Sequence, residues 1–243
     1  MSPPAGCARL PWDSQFFGLQ IGRIDDVCRE PQLLRDARDW ARAEQLDCVY
    51  ALLDGAEPLL VRHASELGFK LVDLRVTLRA AIEPTSRATP LVREALDADL
   101  PALRTIASYS HQASRFYADP GFALERCDAL YAEWIERSVR RDFADAVLVA
   151  TEGSLPLGYL TCSVDPRGIG QIGLFAVARE ARGRGYGAQL VHAAFAWFRD
   201  RGLREASVVA QGNNARALAV YQRHGFATDK VELWHHGWPK LRP

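Results

Sequence analysis

Residues 181–191 read Ala181-Arg182-Gly183-Arg184-Gly185-Tyr186-Gly187-Ala188-Gln189-Leu190-Val191. They follow an apolar run, Ile172-Gly173-Leu174-Phe175-Ala176-Val177, and open an apolar-periodic stretch that predicts a helix to about Arg201. A helix N-terminus leaves backbone N–H groups unpaired and carries partial positive charge. Glycines let an anion approach that backbone closely, and Arg182 and Arg184 add charge-assisted donors. The loop therefore reads as a phosphate or pyrophosphate cradle, or else as a tight strand-to-helix turn with solvated arginines. It lacks the lysine of a P-loop. Gly183-x-Gly185-x-x-Ala188 meets a relaxed dinucleotide-binding pattern, but Ala178 to Arg182 separate it from its strand and too little chain follows for such a fold.

The rest of the composition narrows the class. The chain has 243 residues, enough for one large domain or two small ones, and 48% hydrophobic residues suit a packed core. Formal net charge is zero, which argues against a polyanion binder, so no nucleic-acid partner is expected. The five cysteines, Cys7, Cys28, Cys48, Cys127 and Cys162, are odd in number and widely spaced without a C-x-x-C. They predict reduced thiols, no metal site and a cytoplasmic setting. The start, MSPPAGCARLPWDS, lacks a signal-peptide core, and no run reaches the ~18 apolar residues of a membrane span.

Periodicity predicts a strand over 18–25, a helix over 30–45, a strand over 48–53, a helix over 57–67 stopped by Gly68, and a strand over 71–78. Residues 83–90 (EPTSRATP) are polar and carry two prolines, and read as a linker between an N-terminal β/α domain (1–82) and a C-terminal domain (91–243). Beyond it, helices are expected over 97–108 and 122–139, a hairpin over 146–151 and 157–164, and a strand over 170–177. The loop and its helix follow, then a strand over 205–210, a helix over 215–223 and a strand over 228–234. The order strand, helix, strand, helix, Gly-Phe, strand occurs twice, with Leu67-Gly68-Phe69 matching His224-Gly225-Phe226. The N-terminal domain thus reads as a degenerate half-repeat that lacks the glycine-arginine loop, or as a chance recurrence of a common order.

Two motifs in the expected order resemble the GNAT superfamily of acyl-CoA-dependent N-acyltransferases. Arg182-x-x-Gly185-x-Gly187 matches its loop, and Asn214-x-x-Ala217-x-x-x-Tyr221-x-x-x-Gly225-Phe226 matches its downstream signature. The resemblance implies an α/β (α+β) fold with a mixed central sheet flanked by helices. It implies acetyl-CoA as cosubstrate, without a metal. Its pyrophosphate would lie on the backbone of Arg182, Gly183, Arg184, Gly185, Tyr186, Gly187 and Ala188. Phe175, Ala176 and Val177 would pair with the pantetheine arm, a strand amide would face the thioester oxygen, and Asn214 and Ala217 would line the arm. Asn214 has an equal alternative as a helix N-cap. Tyr221 would be the general acid that protonates the departing thiolate.

Leu10-Pro11-Trp12-Asp13-Ser14-Gln15-Phe16-Phe17-Gly18 and Ser114-Arg115-Phe116-Tyr117-Ala118-Asp119-Pro120, with an extra N-terminal domain, further resemble the dTDP-fucosamine acetyltransferase family. That resemblance implies a nucleotide-sugar acceptor, dTDP-4-amino-4,6-dideoxygalactose. Its acetylated product would feed a surface polysaccharide such as enterobacterial common antigen. Arg115 would pair with a nucleotide phosphate and Phe116 or Tyr117 would stack on base or sugar; otherwise this segment is an apolar plug. Other amine acceptors and a non-catalytic acyl-CoA-binding module stay open. Asp165, His111, Tyr117 and a water chain are candidates for the base. His192, on an apolar helix face, reads as a core histidine. His235 and His236 do not read as a metal pair, because adjacent strand residues point to opposite faces. The tail from Trp234 to Trp238 reads either as a homodimer interface or as a last strand packed on the core.

Overall fold

The computed structural model describes residues 2–83 and 91–239. The segment expected as a linker lies outside the described residues, apart from Glu83. A short strand β1 (Cys7–Arg9) and helix α1 (Pro11–Phe17) come first. Then follow β2 (Ile21–Cys28), α2 (Pro31–Ala43), β3 (Cys48–Asp54), α3 (Pro58–Glu66) and β4 (Phe69–Ala81). Beyond residue 90 the order is β5 (Val92–Glu94), α4 (Leu100–Ser110), α5 (Arg115–Ala118), α6 (Leu124–Val139), β6 (Ala146–Glu152), β7 (Leu155–Val164) and β8 (Gly170–Val177). The chain closes with α7 (Tyr186–Arg199), β9 (Glu205–Gln211), α8 (Ala215–Arg223) and β10 (Ala227–Gly237). Periodicity located the longer elements. It missed β1, α1, β5 and α5, which are three to seven residues long and too short to show a period.

All ten of these strands form one mixed sheet, ordered β1-β2-β3-β10-β4-β9-β8-β7-β6-β5. Within it β2 and β3 are parallel, as are β8 and β9. Counting inward from β2 the order is β2-β3-β10-β4; counting inward from β8 it is β8-β9-β4-β10. Each half therefore has a parallel pair, a guest strand and then its own third strand, and the guest belongs to the other half. That is the arrangement a half-repeat with exchanged last strands would have. Gly68 and Gly225, both at positive φ (86° and 84°), precede Phe69 and Phe226, both buried. Only glycine enters that backbone region freely, so the two Gly-Phe turns match in geometry as well as in spelling.

Helix α7 fills one face of the C-terminal half with Leu190, Val191, Ala194 and Phe198. On the α7 side of the N-terminal half, α2 packs Leu34, Ala37, Trp40 and Ala41 against β2 and β3. The opposite face carries α4 and α6, whose Leu103, Ile106, Leu130 and Ile135 belong to the core. The Trp234–Gly237 stretch is part of a central strand, with His235 and His236 fully buried, so the last-strand alternative describes it. His192 corrects the sequence expectation. It is exposed, because its place on α7 falls between the buried positions Val191 and Ala193 and turns toward His224 at the helix edge.

Candidate active site

The site begins with a strand that lets go of its neighbour. β8 pairs with β9 only through Gly170↔Ala206, Gln171↔Ser207 and Ile172↔Val208. On its other side β8 pairs with β7 as far as Gly158↔Val177, with a register shift that sets Gly173 and Leu174 opposite Thr161. The Leu174 N–H donates to Thr161 Oγ1 at 2.8 Å. A bulge of this kind bends a strand and sharpens its twist. Beyond Ile172 the β9-facing edge of β8 is therefore free of sheet bonds, and Phe175, Ala176 and Val177 border an opening.

The glycine-arginine loop closes one end of that opening. Gly183 and Gly185 take φ of 81° and 87°, and Gly185 is the residue before the first turn of α7. The helix thus aims its unpaired N–H groups into the opening. The cleft has a volume of about 1020 Å³. It brings together the expected Phe175, Ala176, Val177, Arg182, Gly183, Gly185, Tyr186, Gly187, Ala188, Asn214 and Ala217. Arg182 folds back so that its Nε donates to the Val177 carbonyl at 3.1 Å. Arg184 does not join the cleft. Its guanidinium pairs with both Glu152 oxygens at 2.8 and 3.0 Å, toward the β6–β7 turn. Asn214 caps α8, its Oδ1 accepting the Ala217 N–H at 3.1 Å, and it also lines the cleft.

Several lining residues escaped the sequence reading. Arg216 and Arg223 are exposed on α8 and line the cleft seven residues apart, which is two helical turns and one face. With Arg182 they make the cleft wall cationic. Tyr109, Ser110, Gln112 and Ala113, from the end of α4 and the segment after it, form the opposite wall. Spacing along α8 could have found the arginine pair; nothing local marks the α4 end.

Tyr221 is buried in α8, its ring 5.8 Å from the Phe175 ring and 5.6 Å from that of Phe226. Its ring packs against Phe175, which lines the cleft. Burial pushes its hydroxyl well above the usual tyrosine range, so it holds its proton at neutral pH. The other candidates lie elsewhere. Tyr117 donates to Asp128 Oδ1 at 2.6 Å, and burial with that carboxylate raises its hydroxyl. Asp165 accepts the Arg167 and Ile169 N–H groups and pairs with the Arg167 side chain, holding the β7–β8 turn at the end of β8 remote from the cleft. His111 meets the Tyr159 hydroxyl at 2.9 Å and stacks on Tyr131, and burial lowers it to about 4.

Arg115 is half-buried in an aromatic box. Its guanidinium carbon lies 4.0 Å from the Tyr50 ring centroid, 4.3 Å from Trp234 and 4.4 Å from Phe116. Its Nη1 donates to His236 Nε2 at 2.8 Å, and His236 Nδ1 meets Asp119 Oδ2 at 2.6 Å. Trp238 Nε1 donates to the same oxygen. Among the described residues no group of His, Cys, Asp and Glu is placed to hold a metal ion.

The glycine-rich start of α7 behind β8 lies where the sequence resemblance puts its loop; the parting of β8 from β9 and the bulge are features the sequence reading did not contain. The Acetyltransferase (GNAT) family matches residues 103–226, just over half of the chain. The dTDP-fucosamine acetyltransferase of Escherichia coli O6:H1 is 31% identical over 227 residues, 93% of this chain and 95% of that protein. A mycothiol acetyltransferase of Rhodococcus jostii is 30% identical over 156 residues, 56% of this chain and 51% of its own. Among solved structures, a GCN5-related N-acetyltransferase from Sphaerobacter thermophilus shares the fold, with a TM-score of 0.65 at 16% identity over 98% of this chain and 76% of that one. The chain belongs to the GNAT family and is an acyl-CoA-dependent N-acetyltransferase.

Proposed function

We propose that this enzyme transfers an acetyl group from acetyl-CoA to the 4-amino group of dTDP-4-amino-4,6-dideoxygalactose. The product would serve a surface polysaccharide such as enterobacterial common antigen. The carrying observation is the likeness to dTDP-fucosamine acetyltransferase over 93% of this chain, which takes in the N-terminal half as well as the cleft. Five free, buried thiols suit a reducing compartment, in keeping with work in the cytoplasm.

The residues of the cleft suit the coenzyme. Gly183 and Gly185 bare the backbone at the start of α7, and Arg182, Arg216 and Arg223 offer positive charge to its phosphates. The free edge of β8 offers amides and carbonyls to its pantetheine arm. When bound, the coenzyme supplies an activated acyl group. The chain's part is to hold the acyl carbon and the amine together, to set a β8 amide at the thioester oxygen, and to give sulfur a proton from Tyr221. In this reading Arg115 and Tyr117 belong to the sugar side.

The test is to incubate the purified protein with acetyl-CoA and the dTDP-amino sugar and follow the nucleotide sugar by mass spectrometry. A gain of one acetyl group supports the reading. No gain, with acetyl-CoA bound in a separate titration, removes this acceptor and sends the search to other nucleotide-linked amino sugars.

A further inference from the structure

The reaction needs a side chain or a water chain that takes a proton from the incoming amine; Asp165 holds the β7–β8 turn, Tyr117 is bonded to Asp128, and burial lowers His111 to about 4, a weak base near neutral pH. One buried carboxylate has no structural task. Asp73 on β4 is only 8% exposed. No hydrogen bond from a described side chain reaches it; the Leu74 backbone N–H donates to it and the charge of Arg115 acts on it. An ionised carboxylate left in this way is costly to bury.

Its place ties it to the site. Asp73 lies directly across from Trp234 in the β4–β10 register, so the two side chains share a face of the sheet. Arg115 lies on the Trp234 ring, on that same face. The next residue of β4, Leu74, receives the Gly212 N–H at 2.7 Å, and Arg75 pairs with Gln211. Asp73 therefore sits beside the end of β9, the strand from which β8 parts, and Asn213 and Asn214 of the cleft follow directly. From the helical layer, Tyr131 on α6 feels both Asp73 and Arg115, and its ring stacks at 4.4 Å on His111, between the cleft residues Ser110 and Gln112. Nearby, the Tyr50 hydroxyl is buried with no partner among the described residues. The segment 110–115 thus runs from the coenzyme cleft, which Ser110, Gln112 and Ala113 line, to Arg115 on the Trp234 ring.

We propose that Asp73 anchors the ammonium of the acceptor and accepts its first proton. This rests on an amine acceptor, not on one particular sugar. Asp73 takes a proton from the ammonium and frees the nitrogen lone pair, which attacks the thioester carbonyl carbon. The C–N bond forms, the C–S bond then breaks with its electron pair going to sulfur, and sulfur takes a proton from Tyr221. The second nitrogen proton restores Tyr221 through solvent, and Asp73 releases its own to water. Burial raises the carboxyl to about 7 against the opposing charge of Arg115, which suits a base working near neutral pH. The charged and titratable groups facing it are Arg115 from α5 and Tyr131 from α6, with Asp13 of α1 reaching it through Arg115.

The test compares Asp73→Asn and Asp73→Glu with wild type across pH 5.5 to 9, with acetyl-CoA affinity and melting temperature measured in parallel. Wild-type kcat should rise with pH through about 7. Asp73→Asn should lose ~10²–10⁴-fold in kcat and lose that limb, keep acetyl-CoA binding within twofold, and melt no lower than wild type at pH 8. Asp73→Glu should recover part of the rate. An Asp73→Asn enzyme within threefold of wild type, or one that keeps the limb, overturns the proposal. If wild type acetylates some other amine but not this sugar, the sugar reading fails, and the same comparison with that amine decides Asp73.

Discussion

Thr161 and Gly173 face each other across the β7–β8 bulge so closely that a Cβ on Gly173 would lie 2.7 Å from Thr161 Oγ1. That hydroxyl also accepts the Leu174 N–H. The bend that frees the edge of β8 thus depends on a residue without a side chain and a threonine that occupies an orphaned amide. Thr161→Val keeps the shape and leaves the Leu174 N–H unpaired, and should cost about 1–3 kcal/mol in urea unfolding. Its KM for acetyl-CoA should rise as the edge loses its set. A loss under 0.3 kcal/mol with unchanged KM would mean that the bulge holds without the bond.

Tyr221 keeps its proton because burial disfavours the phenolate. Tyr221→Phe removes the proton and little volume. It should lower kcat by ~10²–10⁴-fold and leave acetyl-CoA affinity within twofold. Unchanged turnover, measured by thiol release, would take Tyr221 out of the reaction. A joint loss of turnover and affinity would make it a packing residue.

Arg216 and Arg223 stand on one face of α8 at the cleft mouth and are exposed, so each should contribute only about 0.5–1 kcal/mol to holding coenzyme phosphates. Replacing either by alanine should raise the KM for acetyl-CoA ~2–5-fold with kcat nearly unchanged. The double variant should show a weaker salt dependence of that KM. Equal salt dependence in the double variant and wild type would place the phosphates elsewhere.

The parts of this site legible in the sequence are those carried by one continuous segment. The loop from Arg182 to Ala188 declares itself because the glycines, the preceding strand and the following helix are adjacent in the chain. Asn214, Ala217 and Tyr221 are legible through the resemblance of their motif to the family's downstream signature, which again lies in one continuous segment. What the sequence hid is built by strand exchange. Asp73 sits near the site only because β4 inserts between β10 and β9, and β10 in turn carries Trp234 to it. No local period reports a partner more than a hundred residues away. The sequence offers the Arg115 segment to a nucleotide phosphate or as an apolar plug; the aromatic box draws Tyr50 and Trp234 from opposite halves of the chain.

The same exchange makes one buried histidine an acid sensor of stability. Arg115 can only donate, so His236 Nε2 must accept from it, and the ring hydrogen sits on Nδ1 and goes to Asp119. The imidazole is therefore neutral in the fold, and burial lowers it to about 4 in spite of Asp119. Burial works against the Asp119 carboxylate too, but hydrogen bonds from His236, the Gly121 N–H and Trp238 outweigh it and hold that group below its ordinary range. An unfolded histidine titrates near 6.5. Between that value and about 4 the unfolded chain binds a proton that the folded chain refuses, so stability falls as pH drops through this window. Asp119 adds to the loss at still lower pH, once its depressed folded pKa is reached. Asp73, raised to about 7, opposes this loss by taking its proton in the fold, while buried His111, also lowered to about 4, adds to it, so the melting temperature of wild type should fall below pH 6.5. His236→Gln should start lower, since Asp119 and Arg115 lose a partner, and should fall less steeply between pH 6.5 and 4.5. Parallel curves for the two proteins would mean that the acid sensitivity comes from other groups.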